Sequence, residues 1–108
     1  MKAVENYATE VREFLKANTE AKALSQAKKS LANDLKDPSS AQFRNIKLQP
    51  YLDGFVICGE VNAKNSYGAY VGYTRFVAST TSALTYEKSK YPSIESSANA
   101  GLYAACGY

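Results

Sequence analysis

The amino-acid sequence predicts an α+β fold in which an N-terminal helical segment and a C-terminal helix pack on an antiparallel sheet of three or four strands. Apolar residues recur at helical spacing near both ends of the chain. An apolar run, Phe55–Val61, is typical of a buried strand, and the Asp53-Gly54 pair before it is a hairpin signal. With 108 residues, the chain is expected to form one domain, residues 1–108.

The N-terminal segment, residues 1–36, is predicted to be helical. Two sets of apolar residues recur at spacings of three or four, which places each set on one helix face. The pattern weakens near Asn18 and Thr19, and either residue can cap a second helix. We therefore expect two helices with a break near Asn18, or one long bent helix. The first set is Val4, Tyr7, Val11 and Phe14, and the second is Leu24, Ala27, Leu31 and Leu35.

Residues 37–50 are predicted to form a turn and a short strand. Asp37-Pro38 is expected to end the helical segment, because proline disfavours helical geometry in the residue before it. Ile46 and Leu48 alternate with polar neighbours, which is typical of a strand. The next turn is expected to begin at Pro50.

Residues 51–85 are predicted to form the antiparallel sheet, with Phe55–Val61 as its central strand. Side chains of both parities in this strand are apolar, so both faces of the sheet are expected to be covered. Gly59 is expected to mark a bulge or the close approach of another backbone. After a polar loop, the run Ala69–Ala78 predicts a second strand, and a third is expected near Ser79–Thr85.

The C-terminal helix is predicted to span residues 93–106. Ser93 is its expected N-cap, and Gly107 is expected to end it. Four residues spaced four apart form its apolar face, namely Ile94, Ala98, Leu102 and Cys106.

The composition excludes several classes of function. The chain has no histidine, which rules out His-dependent catalytic triads and most zinc sites, and two cysteines cannot make a four-thiolate metal site. The carboxylates after Asp37 are not clustered, so we expect no catalytic residues, no metal and no cofactor, and the protein is not predicted to be an enzyme. The net charge of +3 comes without a basic block, so nucleic acid is not an expected partner.

The sequence predicts no membrane span, because no apolar run approaches about 20 residues. The stretch Val4–Leu15 contains Glu5, Glu10 and Glu13, which is not the pattern of a signal peptide. The chain is therefore expected to be cytosolic or to be a mature form whose leader was removed.

Cys58 and Cys106 are predicted to form a disulfide. Cys58 lies on the predicted central strand, and Cys106 lies on the inward face of the last helix, which is expected to pack on the same side of the sheet. The alternative is a pair of buried free thiols. A disulfide predicts a periplasmic or secreted protein, whereas free thiols predict the cytoplasm of a host cell.

The candidate binding surface combines the polar loop after the central strand with side chains of the next strand. Polar and aromatic groups concentrate there at one end of the sheet, a position that binding residues favour, and tyrosine is enriched at protein interfaces. The alternatives are that Asn65 and Gly68 serve the turn by supplying positive φ, and that the tyrosines form a half-buried sheet surface. Glu60, nearby, is expected to pair with Lys64 or Arg75. The candidate binding residues are Asn62, Lys64, Asn65, Tyr67, Tyr70, Tyr73 and Arg75.

Two segments of the chain resemble a known family. Residues 36–44 read KDPSSAQFR and residues 58–68 read CGEVNAKNSYG. With the position of Cys106, they resemble the KDPxSAxFR and CGEVNAKNSxGGY motifs of small, largely uncharacterised bacterial and phage-associated envelope-type domains. The chain departs from that pattern at Ala69, where glycine is typical, and in lacking the usual tryptophan of the C-terminal helix. The resemblance implies a disulfide-stapled α+β domain exported to the envelope, or, in a phage-encoded version, an inhibitor that acts inside the host.

These observations favour a non-enzymatic protein-binding module of bacterial envelope or phage origin. The first alternative is a phage-encoded inhibitor of a host defence enzyme or nucleoprotein complex, which the small size and the resemblance favour. Single-stranded nucleic-acid binding through the tyrosines, Lys64 and Arg75 is less favoured, because the net charge is modest. Self-association through the Val4-to-Phe14 stripe competes with the use of that stripe as a core face, so the sequence predicts no oligomeric state.

Overall fold

The structure, a computed structural model, describes the backbone of residues 2–108 and the side chains of residues 4–108. Four helices and a four-stranded antiparallel sheet of order β1-β2-β3-β4 confirm the predicted α+β class. No helix in the described part of the chain combines the length and the apolar character that crossing a membrane requires. In chain order, the elements are α1 (Lys2–Leu15), α2 (Glu20–Asn33), a 3₁₀ turn (Pro38–Ser40), β1 (Gln42–Tyr51), β2 (Gly54–Asn62), β3 (Thr74–Ala78), β4 (Ala83–Thr85), α3 (Pro92–Ala98) and α4 (Ala100–Cys106).

The N-terminal segment forms two helices, as one of the two sequence alternatives predicts. Thr19 is the N-cap of α2, and its side chain accepts a hydrogen bond from the backbone N–H of Lys22. Asn18 does not cap α2, because its side-chain amide donates back to the Phe14 carbonyl. The break lets the two helices turn their apolar faces in different directions.

Strand β1 is longer than the short strand predicted around Ile46 and Leu48. It has ten residues and includes Pro50 and Tyr51, so the turn before β2 begins later than predicted. Proline is tolerated there because β1 is an edge strand of the sheet. The pairing with β2 slips between Arg44 and Lys47, at a bulge.

Asn45 lies in this bulge with a φ of 55°. Asparagine tolerates the left-handed region better than most other residues, which suits it to such a position. Opposite the bulge lies Gly59, where an added Cβ would come within 2.9 Å of Ile46 Cγ1. The expected close approach at Gly59 is therefore present, and the bulge itself belongs to β1.

Strand β3 is shorter than the predicted run Ala69–Ala78. Gly72 has a φ of 105°, and its backbone N–H donates to Asn62 Oδ1 at 3.1 Å instead of extending the β2–β3 ladder. Strand β4 occupies only the end of the predicted segment Ser79–Thr85. The first part of that segment is a turn closed by Ser79 Oγ, which accepts hydrogen bonds from the backbone of Thr81 and Ser82.

The predicted single C-terminal helix is wrong, because the chain forms two short helices that meet at Asn99. Asn99 is 2% exposed; its side chain accepts from the Glu87 N–H and donates to the Glu87 carbonyl, both at 2.8 Å. Ser93 does not cap α3, since Tyr91 holds that position, and Ile94 is exposed. Gly107, with a φ of 69°, ends α4 as predicted.

The sheet is covered on both faces, as predicted for β2. On one face, which we call the disulfide face, Val56 and Cys58 pack with residues of α1 and α4. The other face, the α2 face, carries Ile57 and Val61, which pack with Ala27 and its neighbours in α2. The burial of both faces follows from the two apolar parities of β2.

The Cys58–Cys106 disulfide joins β2 to the end of α4, with 5.9 Å between the Cα atoms. That distance lies in the usual range for disulfides. The predicted pairing is therefore present, and it holds the last helix on the disulfide face. No described cysteine is free.

Helix α1 lies across the end of the sheet that carries both the β1–β2 turn and the β3–β4 turn. Arg12 Nη1 donates to Asp53 Oδ2 at 2.7 Å in the β1–β2 turn. Glu10 Oε1 accepts hydrogen bonds from hydroxyl groups of the β3–β4 turn, contributed by Ser79 at 3.1 Å, Thr80 at 2.9 Å and Thr81 at 2.6 Å. The opposite end of the sheet is therefore the end that α1 leaves uncovered.

Candidate functional site

The loop that joins β2 to β3 lies at this uncovered end, and we call residues 63–73 the Asn65 loop. An isolated β-bridge pairs Lys64 with Tyr70, and the Asn65 N–H donates to the Ala69 carbonyl at 2.9 Å. The Asn65 side chain closes the tip, because Oδ1 accepts from the N–H groups of Tyr67 at 2.9 Å and Ala69 at 3.2 Å. The side chain of one asparagine thus satisfies backbone N–H groups that have no backbone acceptor in a tight turn.

The Asn65 loop is fastened to the 3₁₀ turn through Ser40. The Lys64 N–H donates to Ser40 Oγ, and the Tyr70 hydroxyl donates to the Ser40 carbonyl, both at 2.9 Å. Ser40 Oγ in turn donates to the Asp37 carbonyl at 2.7 Å. The two segments that carry the family resemblance, residues 36–44 and 58–68, therefore contact each other at this serine.

The candidate residues of the loop divide into structural and available side chains. Asn62 is 9% exposed and binds the Gly72 N–H, so it holds the loop against β2. Asn65 and Tyr70 also make internal hydrogen bonds. Asn65 closes the turn through its side chain and not through the positive φ that the alternative predicts, whereas Gly68 has a φ of 76° as predicted. Tyr67 is 94% exposed at the tip. Tyr67 is therefore the most exposed of the three large apolar side chains that this loop presents to solvent, ahead of Val71 and Tyr70.

A charged row crosses the disulfide face next to the loop, and we define it as Arg44, Glu60 and Arg75. The three residues are paired across β1, β2 and β3. Arg44 donates to both oxygens of Glu60, from Nε at 3.2 Å and from Nη2 at 3.3 Å. Asn45 Nδ2 adds a third bond to Glu60 at 2.8 Å, because the bulge turns two consecutive residues toward the same carboxylate. The hydrogen bonds from Arg44 and then Asn45 lower the pKa of Glu60.

The predicted partners of Glu60 are thus corrected. Lys64 does not contact this carboxylate, and its ammonium lies 5.7 Å from the Tyr70 ring. Arg75 is in register with Glu60, yet the described ion pairs of Glu60 include only Arg44. The bulge explains the difference, because it brings Arg44 opposite Glu60.

Tyrosine rings hold both arginines of the charged row. The Arg44 guanidinium carbon lies 3.8 Å from the Tyr73 ring centroid. The Arg75 guanidinium carbon contacts two rings, at 4.8 Å from the centroid of Tyr86 and 5.2 Å from that of Tyr108. Such cation–π contacts orient a guanidinium without neutralising its charge.

Both tyrosines beside Arg75 are themselves fixed. The Tyr108 hydroxyl donates to the Gly59 carbonyl at 2.7 Å, and burial raises the pKa of this phenol. The Tyr86 hydroxyl bonds to the Glu95 carboxylate, which raises the pKa of Tyr86 and lowers that of Glu95. Arg75 is therefore held by groups whose positions are set by β2 and α3.

Two cavities flank Glu60 on this face. The first, which we call the Arg75 cavity, has a volume of about 240 Å³. The second, of about 450 Å³, lies toward the β1 bulge. The Arg75 cavity is lined by Glu60, Tyr73, Thr74, Arg75, Tyr86 and Lys88, and the second by Asn45, Ile46, Lys47, Gly59, Glu60 and Tyr108.

Three residues of this face are absent from the sequence-predicted site. Arg44 is missed because counting outward from the β1–β2 turn without a bulge places Asn45 opposite Glu60. Tyr86 continues the β3–β4 pairing, and its N–H donates to the Arg75 carbonyl at 2.9 Å. A predicted β4 that extended to Tyr86 would therefore have placed this residue beside Arg75. No sequence pattern places Tyr108 against Arg75.

The structure brings Arg75 and Tyr73, the last residue of the Asn65 loop, to the charged row. The other five candidate residues lie at the end of β2 or earlier in the Asn65 loop. Within residues 4–108, no group of three or more His, Cys, Asp or Glu side chains is arranged to hold a metal ion. Comparison with protein-family models, with curated proteins and with solved structures finds no match to this chain.

Proposed function

We propose that this protein is a non-enzymatic binding module that uses the tip of the Asn65 loop to bind a protein partner. The observation that carries the proposal is the 94% exposure of Tyr67 on a backbone fixed by the Asn65 side chain. Tyrosine contributes large contact area with few rotatable bonds, and it is enriched among residues that dominate binding energy. A loop that is already ordered also loses little conformational entropy on binding.

A protein partner is favoured over a single-stranded nucleic acid for reasons of charge. Among the described side chains of the loop, Lys64 is the only cation, and it lies near the Tyr70 ring. Tracking a phosphate backbone takes several cations along one groove. The loop instead presents Tyr67 at its tip and Val71, which is 72% exposed, beyond the Lys64–Tyr70 bridge, and both suit an apolar pocket on a partner.

The compartment is part of the proposal. The Cys58–Cys106 disulfide supports an oxidising environment, such as the periplasm or the exterior of the cell, because cytosolic reductants keep most thiols reduced. Alkylation of the denatured protein from its native host, without reductant, tests this point. Unlabelled cysteines agree with export to the envelope, whereas two labelled cysteines favour an inhibitor that acts in a host cytoplasm.

The binding proposal is tested by capture with two variants of the immobilised protein. Tyr67→Ser removes the exposed ring, and Tyr91→Ser, at a ring that is 56% exposed before α3, is the matched control. Periplasmic and cytosolic bacterial extracts are passed over each protein, and retained proteins are quantified by mass spectrometry. We expect a partner that the wild-type protein and Tyr91→Ser retain and that Tyr67→Ser loses.

Titration with the purified partner then measures how much Tyr67 contributes to the binding free energy. A central interface tyrosine contributes about 2 kcal/mol, so Tyr67→Ser should raise Kd about thirtyfold. Oligonucleotides of mixed sequence at low salt form a separate arm of the titration. Equal retention of every protein by wild type and Tyr67→Ser, or tight oligonucleotide binding that Tyr67→Ser abolishes, would contradict the proposal.

A further inference from the structure

We propose that the Arg75 cavity binds the carboxylate of an aspartate or glutamate side chain contributed by the protein partner. This inference rests on the proposed protein-binding function and adds a second contact with defined chemistry. The cavity opens on the disulfide face between Tyr73 and Tyr86, with Arg75 in its lining. It is therefore a site distinct from the tip of the Asn65 loop.

The charge of Arg75 enters no ion pair among the described residues, and its effect on Glu60 only adds to the lowering of the Glu60 pKa by Arg44 and Asn45. Its guanidinium lies against the rings of Tyr86 and Tyr108, at 4.8 Å and 5.2 Å from their centroids. The ion pairs of the described residues do not include Lys88, the other cation of the cavity, either. A guanidinium fixed in this way presents its remaining N–H donors at little entropic cost.

Glu60 is the carboxylate of the same cavity lining. Both of its oxygens accept hydrogen bonds from Arg44, and one also accepts from Asn45. The charge of Glu60 is thus matched by Arg44. The two remaining charged residues of the lining are the cations Arg75 and Lys88. Glu95, which is bonded to Tyr86 behind the lining and interacts with Lys88, offsets part of this charge, and Arg75 supplies the excess.

The size and the charge of the cavity restrict its occupant. A volume of about 240 Å³ is smaller than the roughly 300–1,000 Å³ typical of cofactor and drug-sized ligands, and it suits one side chain. Guanidinium groups bind carboxylates through two parallel N–H···O bonds. The proposed partner is a protein, and the anionic groups that a protein supplies are the carboxylates of its aspartate and glutamate side chains. The acidic side chain of a protein is therefore the occupant that matches this lining.

The test is an NMR titration that follows the side-chain Nε–Hε resonance of each arginine. The probes are N-acetyl-glutamate amide, its uncharged counterpart N-acetyl-glutamine amide, and inorganic phosphate. We expect the glutamate amide to shift the Arg75 resonance saturably and to leave the Arg12 resonance, which is paired with Asp53 at the other end of the sheet, unchanged. The glutamine amide should have no effect at Arg75.

Two variants make the result specific. Arg75→Lys keeps the charge but removes the two-pronged donor, and the affinity for glutamate amide, followed through backbone amides of the cavity lining, should fall about tenfold. Lys88→Gln changes an exposed side chain outside the core, and the affinity should fall about threefold. Absence of a saturable Arg75 shift, an equal shift at Arg12, tighter saturation by phosphate, or unchanged affinity in Lys88→Gln would each overturn the inference.

The same titration in the Tyr67→Ser background separates this inference from the proposed function. Glutamate amide should bind Tyr67→Ser with wild-type affinity, because the cavity does not include the loop tip. If capture is insensitive to Tyr67→Ser while glutamate amide still binds, the loop proposal fails and the cavity stands. If Tyr67→Ser loses its partner while glutamate amide does not bind wild type, the loop proposal stands and the cavity fails.

Discussion

Reduction of the Cys58–Cys106 disulfide is expected to remove a large part of the stability of this protein. The bond closes a loop with a sequence separation of 48 residues. In the chain-entropy model, releasing a loop of this length returns about 14 cal/mol/K to the unfolded chain, which is about 4 kcal/mol at 25 °C. Small domains are stable by only about 5–15 kcal/mol, so the loss brings the reduced protein close to unfolding.

Equilibrium urea unfolding with and without reductant measures this difference. With a urea slope of about 1.5 kcal/mol/M, a loss of 4 kcal/mol lowers the unfolding midpoint by about 2.7 M. Reduced wild-type protein is the best comparison because no atom is removed from the core, where Cys58 is fully buried. Intact mass after alkylation confirms the redox state of each sample.

The matched control is the double variant Cys58→Ala/Cys106→Ala, whose unfolding should not respond to reductant. A difference of less than about 1 kcal/mol between oxidised and reduced wild type would refute the reasoning. It would mean either that the unfolded reduced chain is already restrained or that the disulfide strains the fold.

Three further predictions follow from individual contacts. Gly54→Ala should lower the free energy of unfolding by about 3 kcal/mol, because the added methyl group meets the Ala8 carbonyl; thermal denaturation measures this loss, and one below about 1 kcal/mol contradicts the close packing. Asn65→Ala should speed hydrogen exchange at the Tyr67 N–H about fivefold, since that bond contributes about 1 kcal/mol, and an unchanged exchange rate would show that the loop is fixed otherwise. Glu60 has a folded-state pKa below its ordinary 4.5, so it contributes stability that is present above that value and is lost as the pH falls through the folded-state pKa. Glu60→Gln should therefore weaken the acid dependence of stability below about pH 4.5, and curves of equal slope for both proteins would count against the Arg44 pair.

Sequence patterns predict the core of this fold because its signals are local. The two apolar parities of Phe55–Val61 specify a strand covered on both faces, and β2 packs in that way. The Asp53-Gly54 pair correctly indicates the β1–β2 hairpin. Cys58 and Cys106 could be paired because each lies on the side of its element that faces the core.

The errors arise where one polar side chain overrides a regular pattern. Asn45 adopts left-handed geometry in the β1 bulge and changes which residue faces Glu60. Asn62 draws the Gly72 N–H away from the sheet, which shortens β3. Asn99 interrupts an apolar pattern that would continue as one helix, because its buried amide binds both backbone groups of Glu87. Each of these amides binds a partner that is distant in sequence or outside the regular element. The spacing of apolar residues therefore does not predict these contacts.

The candidate site likewise has one part that local sequence signals predict and one part that depends on tertiary contacts. The exposed tip at Tyr67 follows from a polar loop with turn residues, which is visible in the sequence. The cage around Arg75 depends on Tyr86 and Tyr108, which reach it through the β3–β4 pairing and the end of α4. Such a set is assembled by tertiary structure alone.

The position of α1 across both hairpin turns has a consequence for the order of folding. Neighbouring strands of the sheet are joined in chain order, so hairpin formation closes short loops. Helix α1 instead reaches Asp53 across 41 residues and Thr81 across 71 residues. Because these contacts need both turns to be formed, we expect α1 to dock after the two hairpins. The packing of the N-terminal helix would then depend on both hairpins having formed correctly.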